Sequence, residues 1–138
     1  ALLALGAMVR STGVGGERSE PVEDFLPNRA SRLVLDVSFD APKSGAFEAF
    51  RRPHAHHFTP LAVSGATFAD GTVRLAVTGA GPHALRLPSA EAAASDPEAA
   101  GLAALSDVTL DDDAIISGWY RERLLPKLVK KVLEGMEA

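Results

Sequence analysis

Residues 111–133 read DDDAIISGWYRERLLPKLVKKVL, and the reading of this stretch decides how the rest of the chain must be arranged. Asp111, Asp112 and Asp113 gather at its start, where negative charge meets the positive end of a helix dipole. Lys127, Lys130 and Lys131 lie toward the other end. Leu125, Leu128, Val129, Val132 and Met136 recur at helical spacing and form one apolar stripe. A helix with one apolar face has to lie on something. Pro126 falls inside the stripe; it removes one backbone donor and crowds the preceding turn, at about 3 kcal/mol in a regular helix interior. The sequence therefore predicts a kink at Pro126, or two helices meeting there.

What the helix lies on is legible upstream. Leu61 to Ala69 and Thr72 to Thr78 are apolar segments rich in Val, Ala and Thr, joined through Asp70-Gly71. That dipeptide is a strong hairpin signal, because glycine relieves the positive φ of a tight turn. Ala46 to Arg51 suits an edge strand and Ala84 to Leu87 a short one. Ser89 is placed to cap a short helix over Ala90 to Ala94, and Asp96-Pro97 opens another, with Ser95 and Glu98 at the alternative capping-box spacing. Strands followed by helices make an α+β fold: a small antiparallel sheet of about three strands, covered on one face by the C-terminal helices.

Residues 1 to about 45 have a different texture. Ala1 to Val9 is apolar but lacks a basic n-region and is too short for a membrane span. It reads as a strand or the end of a helix. Ala7-Met8-Val9-Arg10 reads as a strand, Gly13-Val14-Gly15-Gly16 as its turn, and Glu17 to Glu20 as the return. Pro21 to Leu26 suits one helical turn with Pro at its start. Leu33 to Phe39 ends in period-two alternation, the mark of a half-buried strand. Asp40-Ala41-Pro42 breaks it and Lys43-Ser44-Gly45 makes a linker.

Composition narrows the functional classes. The net charge of −4 argues against nucleic acid, which calls for a surplus of cations on one face. With no cysteine, disulfides, thiolate metal sites and iron–sulfur ligation by this chain are excluded. The same absence fits a cytoplasmic protein. His54, His56 and His57 are the obvious metal candidate. Arg51 and Arg52 beside them repel a cation, no carboxylate lies nearby, and the spacing does not put all three on one face, so no metal site is assigned. Gly13 to Gly16 invites a phosphate-loop reading, but a polar strand follows where a helix should open. Helix capping accounts for the Asp111–Asp113 run without Mg²⁺ or Ca²⁺. Ser64 and Ser117 have no nucleophile-elbow context, and Trp119 and Tyr120 read as helix anchors. The residues by themselves give an α+β domain without a self-contained catalytic motif.

Several segments nonetheless resemble one family. Asp113, Ser117, Tyr120, Arg121, Leu124, Leu128 and Val129 match a pattern that closes the FAD-binding medium subunits of the xanthine dehydrogenase and carbon monoxide dehydrogenase family of molybdenum hydroxylases. Ala7 to Arg10, the glycine turn, Glu17-Arg18 and Pro21-Val22-Glu23-Asp24-Phe25-Leu26 resemble that family's strand, turn and P-L-x-D-F-F segment. Leu33 to Phe39 resembles the strand that comes next, and Ala46 to Arg52 the start of its C-terminal domain. Order and spacing agree over nearly the whole chain.

The resemblance implies that residues 1–45 finish an FAD-binding α/β domain and that residues 46–138 form a C-terminal domain like that of the carbon monoxide dehydrogenase flavoprotein. It implies FAD as cofactor, with Val34 and its neighbour Leu33 near the flavin, and Arg51 where family members often carry a Lys. Arginine keeps the charge but not the geometry. The implied partners are an iron–sulfur small subunit and a molybdenum large subunit, with no nucleic acid and no membrane. The glycine-rich loops that hold the FAD diphosphate belong upstream of these segments. The chain alone is therefore expected to bind FAD weakly or not at all and to be inactive. The alternative function is a stand-alone, non-catalytic protein-interaction domain of the same fold.

Overall fold

The computed structural model describes residues 1–51 and 59–137. In chain order it contains β1 (Met8–Gly13), β2 (Arg18–Pro21), α1 (Val22–Phe25), β3 (Arg32–Ser38), β4 (Ser44–Phe50), β5 (Leu61–Thr67), β6 (Val73–Thr78), β7 (Leu85–Arg86), α2 (Pro88–Ala92), α3 (Pro97–Ala103), a 3-10 turn (Ala104–Asp107) and α4 (Gly118–Glu137). The strands form two antiparallel sheets, one of three strands in the order β2-β1-β3 and one of four in the order β4-β5-β6-β7. The second sheet thus has one strand more than expected.

The first residues, expected as a strand or the end of a helix, form hydrogen-bonded turns. Leu5 N–H donates to Ala1 O at 3.0 Å and Ala7 N–H to Leu2 O at 3.0 Å, and Gly6 turns the chain at φ 61° into β1. The glycine turn closes with Gly16 N–H on Gly13 O at 2.9 Å. Gly15 and Gly16 both have positive φ, a conformation open to glycine at little cost. In β3 the expectation of a half-buried strand fails. Leu33, Val34, Leu35 and Val37 are all exposed. The alternation is also broken: Arg10 pairs with Asp36 but Ser11 with Val34, so Leu35 is an extra residue, a β-bulge. Val34 and Val37, three apart, consequently share the face of Ser11 and Val9, while Leu33 shares that of Arg10 and Asp36.

The central strands of the second sheet are covered on both sides, while Phe47 on the edge strand β4 stays exposed. Along β5, Leu61 and Val63 point to the helices and join Leu75, Val77, Leu125, Val129 and Val132 in the larger core. Ala66 and Ala76 point the other way and join Leu3, Ala4, Ala7, Val9, Val22 and Phe25 in the smaller one. The Asp70-Gly71 hairpin forms as read, with Gly71 at φ 84° and Asp70 accepting from Thr72 N–H at 2.9 Å. Asp96 settles the ambiguous start of α3 by accepting from Glu98 and Ala99 N–H. Ser89 does not cap α2; the distant Asp107 carboxylate takes its free amides instead, from Ser89 at 2.9 Å and Ala90 at 3.4 Å.

Of the two arrangements expected at Pro126, two helices meeting is excluded: α4 is one continuous helix with Pro126 inside it. Gly101 of α3 lies against the Pro126 backbone so closely that a Cβ there would fall 2.6 Å from Pro126 O, so packing holds the proline turn in place. The helix also starts at Gly118, later than the aspartates. Asp111–Asp113 belong to the loop before it.

Candidate functional site

The sites implied by the resemblance lie on β3 and at the end of β4. Leu33 is 66% exposed and Val34 43% exposed. Because they are consecutive, they point to opposite faces of the strand, and a flat ligand on one face meets only one of them. Val34 sits opposite the fully buried Ser11 on the apolar face, and Leu33 opposite Thr12 on the face that carries Arg10, Asp36 and Glu17. The bulge at Leu35 aligns Val37 with Val34, giving that face a two-residue apolar edge. Arg51 comes directly after β4 and is exposed, and no hydrogen bond joins it to β3 among the described residues. His54, His56 and His57 lie outside the described residues. Among those described, no group of three or more His, Asp or Glu side chains is placed to hold a metal ion.

Arg32 is a neighbour of this edge that sequence reasoning passed over. Its Nε donates to Ser11 Oγ at 2.8 Å, and a terminal nitrogen donates to Ser11 O at 3.0 Å and to Gly16 O at 3.3 Å. One guanidinium thus ties β3, β1 and the glycine turn together beside Val34. The available signal was a cation at the head of an apolar strand, facing a glycine hairpin. The turn itself opens into β2 and no helix comes after it there, so its amides are not arranged as a phosphate cradle.

The aspartate run has a definite structural task. Asp112 accepts from Gly118 N–H at 2.8 Å, at the first turn of α4. Asp113 accepts from Ile115 and Ile116 N–H at 2.7 and 2.9 Å, and its other oxygen pairs with Arg121. Arg121 is buried; it also donates to Asp111 O at 2.6 Å and Ile116 O at 3.2 Å, and its Nε alone is left without an acceptor. The Arg121 hydrogen bond, then the Ile116 and Ile115 amides, pull the Asp113 carboxyl down to about 2. Every part of this clasp closes the loop onto the helix. The residues that matched the family pattern here are architectural.

A second network joins the two layers. Glu91 of α2 accepts from Leu75 N–H at 2.9 Å and from Arg86 Nε at 3.1 Å, and Arg86 reaches Glu23 of α1 at 3.7 Å. Hydrogen bonding to Glu91 raises the Arg86 pKa. No helix among the described residues is long and apolar enough to cross a membrane.

No protein-family model matches the sequence, and no curated protein matches it. Solved structures do match the fold. A chain of carbon monoxide dehydrogenase from Hydrogenophaga pseudoflava superposes with a TM-score of 0.81 at 22% identity, over 98% of this chain and 54% of that one. A chain of quinoline 2-oxidoreductase from Pseudomonas putida 86 gives 0.78 at 17% identity, over 99% and 54%. A chain of CO dehydrogenase from Oligotropha carboxidovorans gives 0.77 at 16% identity, over 99% and 54%. The chain therefore spans about half the length of these chains. At such identities the likeness establishes the fold, and it is the α+β fold that the resemblance implied.

Proposed function

We propose that this chain is the C-terminal part of the FAD-binding subunit of a molybdenum hydroxylase, helping to hold FAD and to dock partner subunits for electron transfer. The observation that carries the reading is β3. Leu33, Val34, Leu35 and Val37 are exposed along an outer strand of a small sheet. Soluble chains rarely leave such an edge free, because unpaired, apolar strands recruit other chains. A sheet that is finished by further polypeptide explains it, and the matched chains have almost twice this length. On this reading residues 1–45 complete the FAD-binding domain, and residues 46–138 are the C-terminal domain.

The residues present fit one part of the cofactor. Val34 and Val37, held by the bulge and by Arg32, offer an apolar edge against a flat ring, and Arg51 an exposed cation. They do not supply amides for the diphosphate. FAD when bound would carry electrons between iron–sulfur clusters and an acceptor, and that chemistry is the cofactor's own. The part of this chain is to pack against the ring, exclude water from one side and fix orientation. The proposed partners are the iron–sulfur and molybdenum subunits, and the proposed compartment is the cytoplasm.

The test is flavin content. The chain of 138 residues, purified alone, is expected to carry far less than one FAD per molecule by absorbance. The same chain made together with the polypeptide that supplies the rest of the fold is expected to carry one. Val34→Asp in that assembly should lose most of the flavin while keeping its circular dichroism. A flavin-free assembly, or full flavin in Val34→Asp, would sink the reading.

A further inference from the structure

We propose that the outward face of α4 is a docking surface for an acidic face of a protein partner. Trp119, Arg123, Lys127 and Lys131 recur at intervals of four residues, so they rise along one side of the helix. All four are exposed, while Leu125, Val129 and Val132 fill the opposite side. Trp119 is 60% exposed, and the Arg123 guanidinium lies over its ring at 4.3 Å from the centroid.

The charge on this face is unspent. Among the described residues Arg123, Lys127 and Lys131 have no ion pair, as is also true of Arg18, Arg29, Arg32, Lys43, Arg51 and Arg74; what sets these three apart is that they share one helix face with Trp119. The concentration is local, since the whole chain carries −4. Glu134 and Glu137 lie on the same side one turn further on, so the cationic run covers only the helix from Arg123 to Lys131. An aromatic ring with an arginine laid across it is the composition of a protein–protein anchor, and flanking cations steer an acidic partner into register.

Other polyanions fit less well. The stripe from Trp119 to Lys131 is about 18 Å long at 1.5 Å per residue, and its few cations sit on an acidic molecule. A lipid surface calls for an apolar face beside the basic one, and the apolar face of α4 is already buried in the core. The inference does not depend on the flavin reading, because α4 and β3 belong to different layers.

The test uses the full chain, affinity-tagged and expressed in its source cells. Treating the extract with a carbodiimide, which joins amines to carboxylates without a spacer, is expected to link Lys127 or Lys131 to an Asp or Glu of a second protein, read by peptide mass spectrometry. The triple reversal Arg123→Glu, Lys127→Glu, Lys131→Glu should cut recovery of that protein at least tenfold with an unchanged melting temperature. Arg18→Glu on β2 should leave recovery intact. Cross-links confined to the chain itself, or a partner retained by the triple variant, overturn the proposal. So does tight, reversal-sensitive binding to a 20-base-pair DNA duplex or to phosphatidylserine vesicles with no protein cross-link. A triple variant that keeps its flavin in the assembly but loses the partner separates this surface from the flavin site.

Discussion

The two sheets of this molecule are built from similar residues and end in opposite states. β5 and β6 are central strands whose Leu61, Val63, Leu75 and Val77 are completely buried beneath the helices, α4 over β5 and α2 over β6. β3, richer in Leu and Val than either of them, leaves Leu33, Val34, Leu35 and Val37 in the open. Composition alone does not separate them. The difference lies in whether the chain carries its own cover. Downstream of the second sheet, three helices between Pro88 and Glu137 fold back over it, while among the described residues no later element returns to cover β3. Burial depends on the downstream chain as much as on the strand itself.

The closed side is where substitutions should hurt most. Leu125 is fully buried in the larger core. Leu125→Ala is expected to cost about 2–5 kcal/mol, the usual range for a core Leu truncation with partial relaxation. Urea unfolding followed by circular dichroism measures it. A cost below about 1 kcal/mol would mean that the core under α4 is loose, and the comparison with β3 would lose its basis.

Next come the close approaches that let α4 seat. A Cβ at Gly118 would fall 2.0 Å from Leu110 O, a backbone atom that cannot swing aside. A Cβ at Gly65 would meet Val132 Cγ1 at 2.6 Å and the end of Met136 at 2.9 Å, which are side chains. Gly118→Ala should therefore cost about 1–3 kcal/mol, as overpacking does, and Gly65→Ala somewhat less, because Met136 can yield although the β-branched Val132 in the helix is stiff. Equal costs at both positions would show that the loop over Leu110 yields as readily as a side chain.

The same division separates what was legible in the sequence from what was not. The hairpin at Asp70-Gly71, the α3 start at Asp96-Pro97 and the stripe of α4 each rest on local rules, and each formed. Local rules failed where distant residues intervene. Asp107 replaces Ser89 as the cap of α2 from 18 residues away. Arg121 draws Asp113 out of a capping role into a loop clasp. The bulge that turns Val34 and Val37 to one face arises from pairing with β1, and no feature of the β3 sequence announces it. Of the implied flavin neighbours, Leu33 and Val34 must alternate as consecutive strand residues; only the register shows which of the two faces each one takes. Arg32 went unnoticed because its importance is a matter of where Ser11 and Gly16 lie.

The clasp gives a pH-dependent handle on the closed side. The folded Asp113 carboxyl titrates near 2, below its ordinary 3.8. A group whose folded pKa is depressed contributes stability that is present above the unfolded pKa and is lost as pH falls through the folded one. The contribution is thus complete above about pH 4 and fades toward about 2. Asp113→Asn should flatten the fall in melting temperature over that window, with little change in its slope at neutral pH. The effect is smaller than the core substitutions, since the carboxylate is partly open to solvent that screens it. An unchanged acid slope would mean that Asp113 is not held by Arg121 in solution.

The smallest effect expected in the isolated chain is the most informative. Leu33→Ser and Val34→Ser remove apolar surface that is already in water, so each should change stability by no more than about 0.5 kcal/mol. Each should also raise solubility, because an exposed apolar outer strand invites pairing between copies. In an assembly where β3 is covered, the two should part. Val34 shares its face with buried Val9 and Ser11, and Leu33 with Arg10 and Asp36, so Val34→Ser should then weaken the assembly more than Leu33→Ser. Measuring both variants with and without the completing polypeptide turns β3 into a reporter of its own cover. A cost that appears only in the assembly, and mainly at Val34, is what an unfinished sheet requires; equal and small costs in both settings would mean that β3 is an ordinary solvated edge.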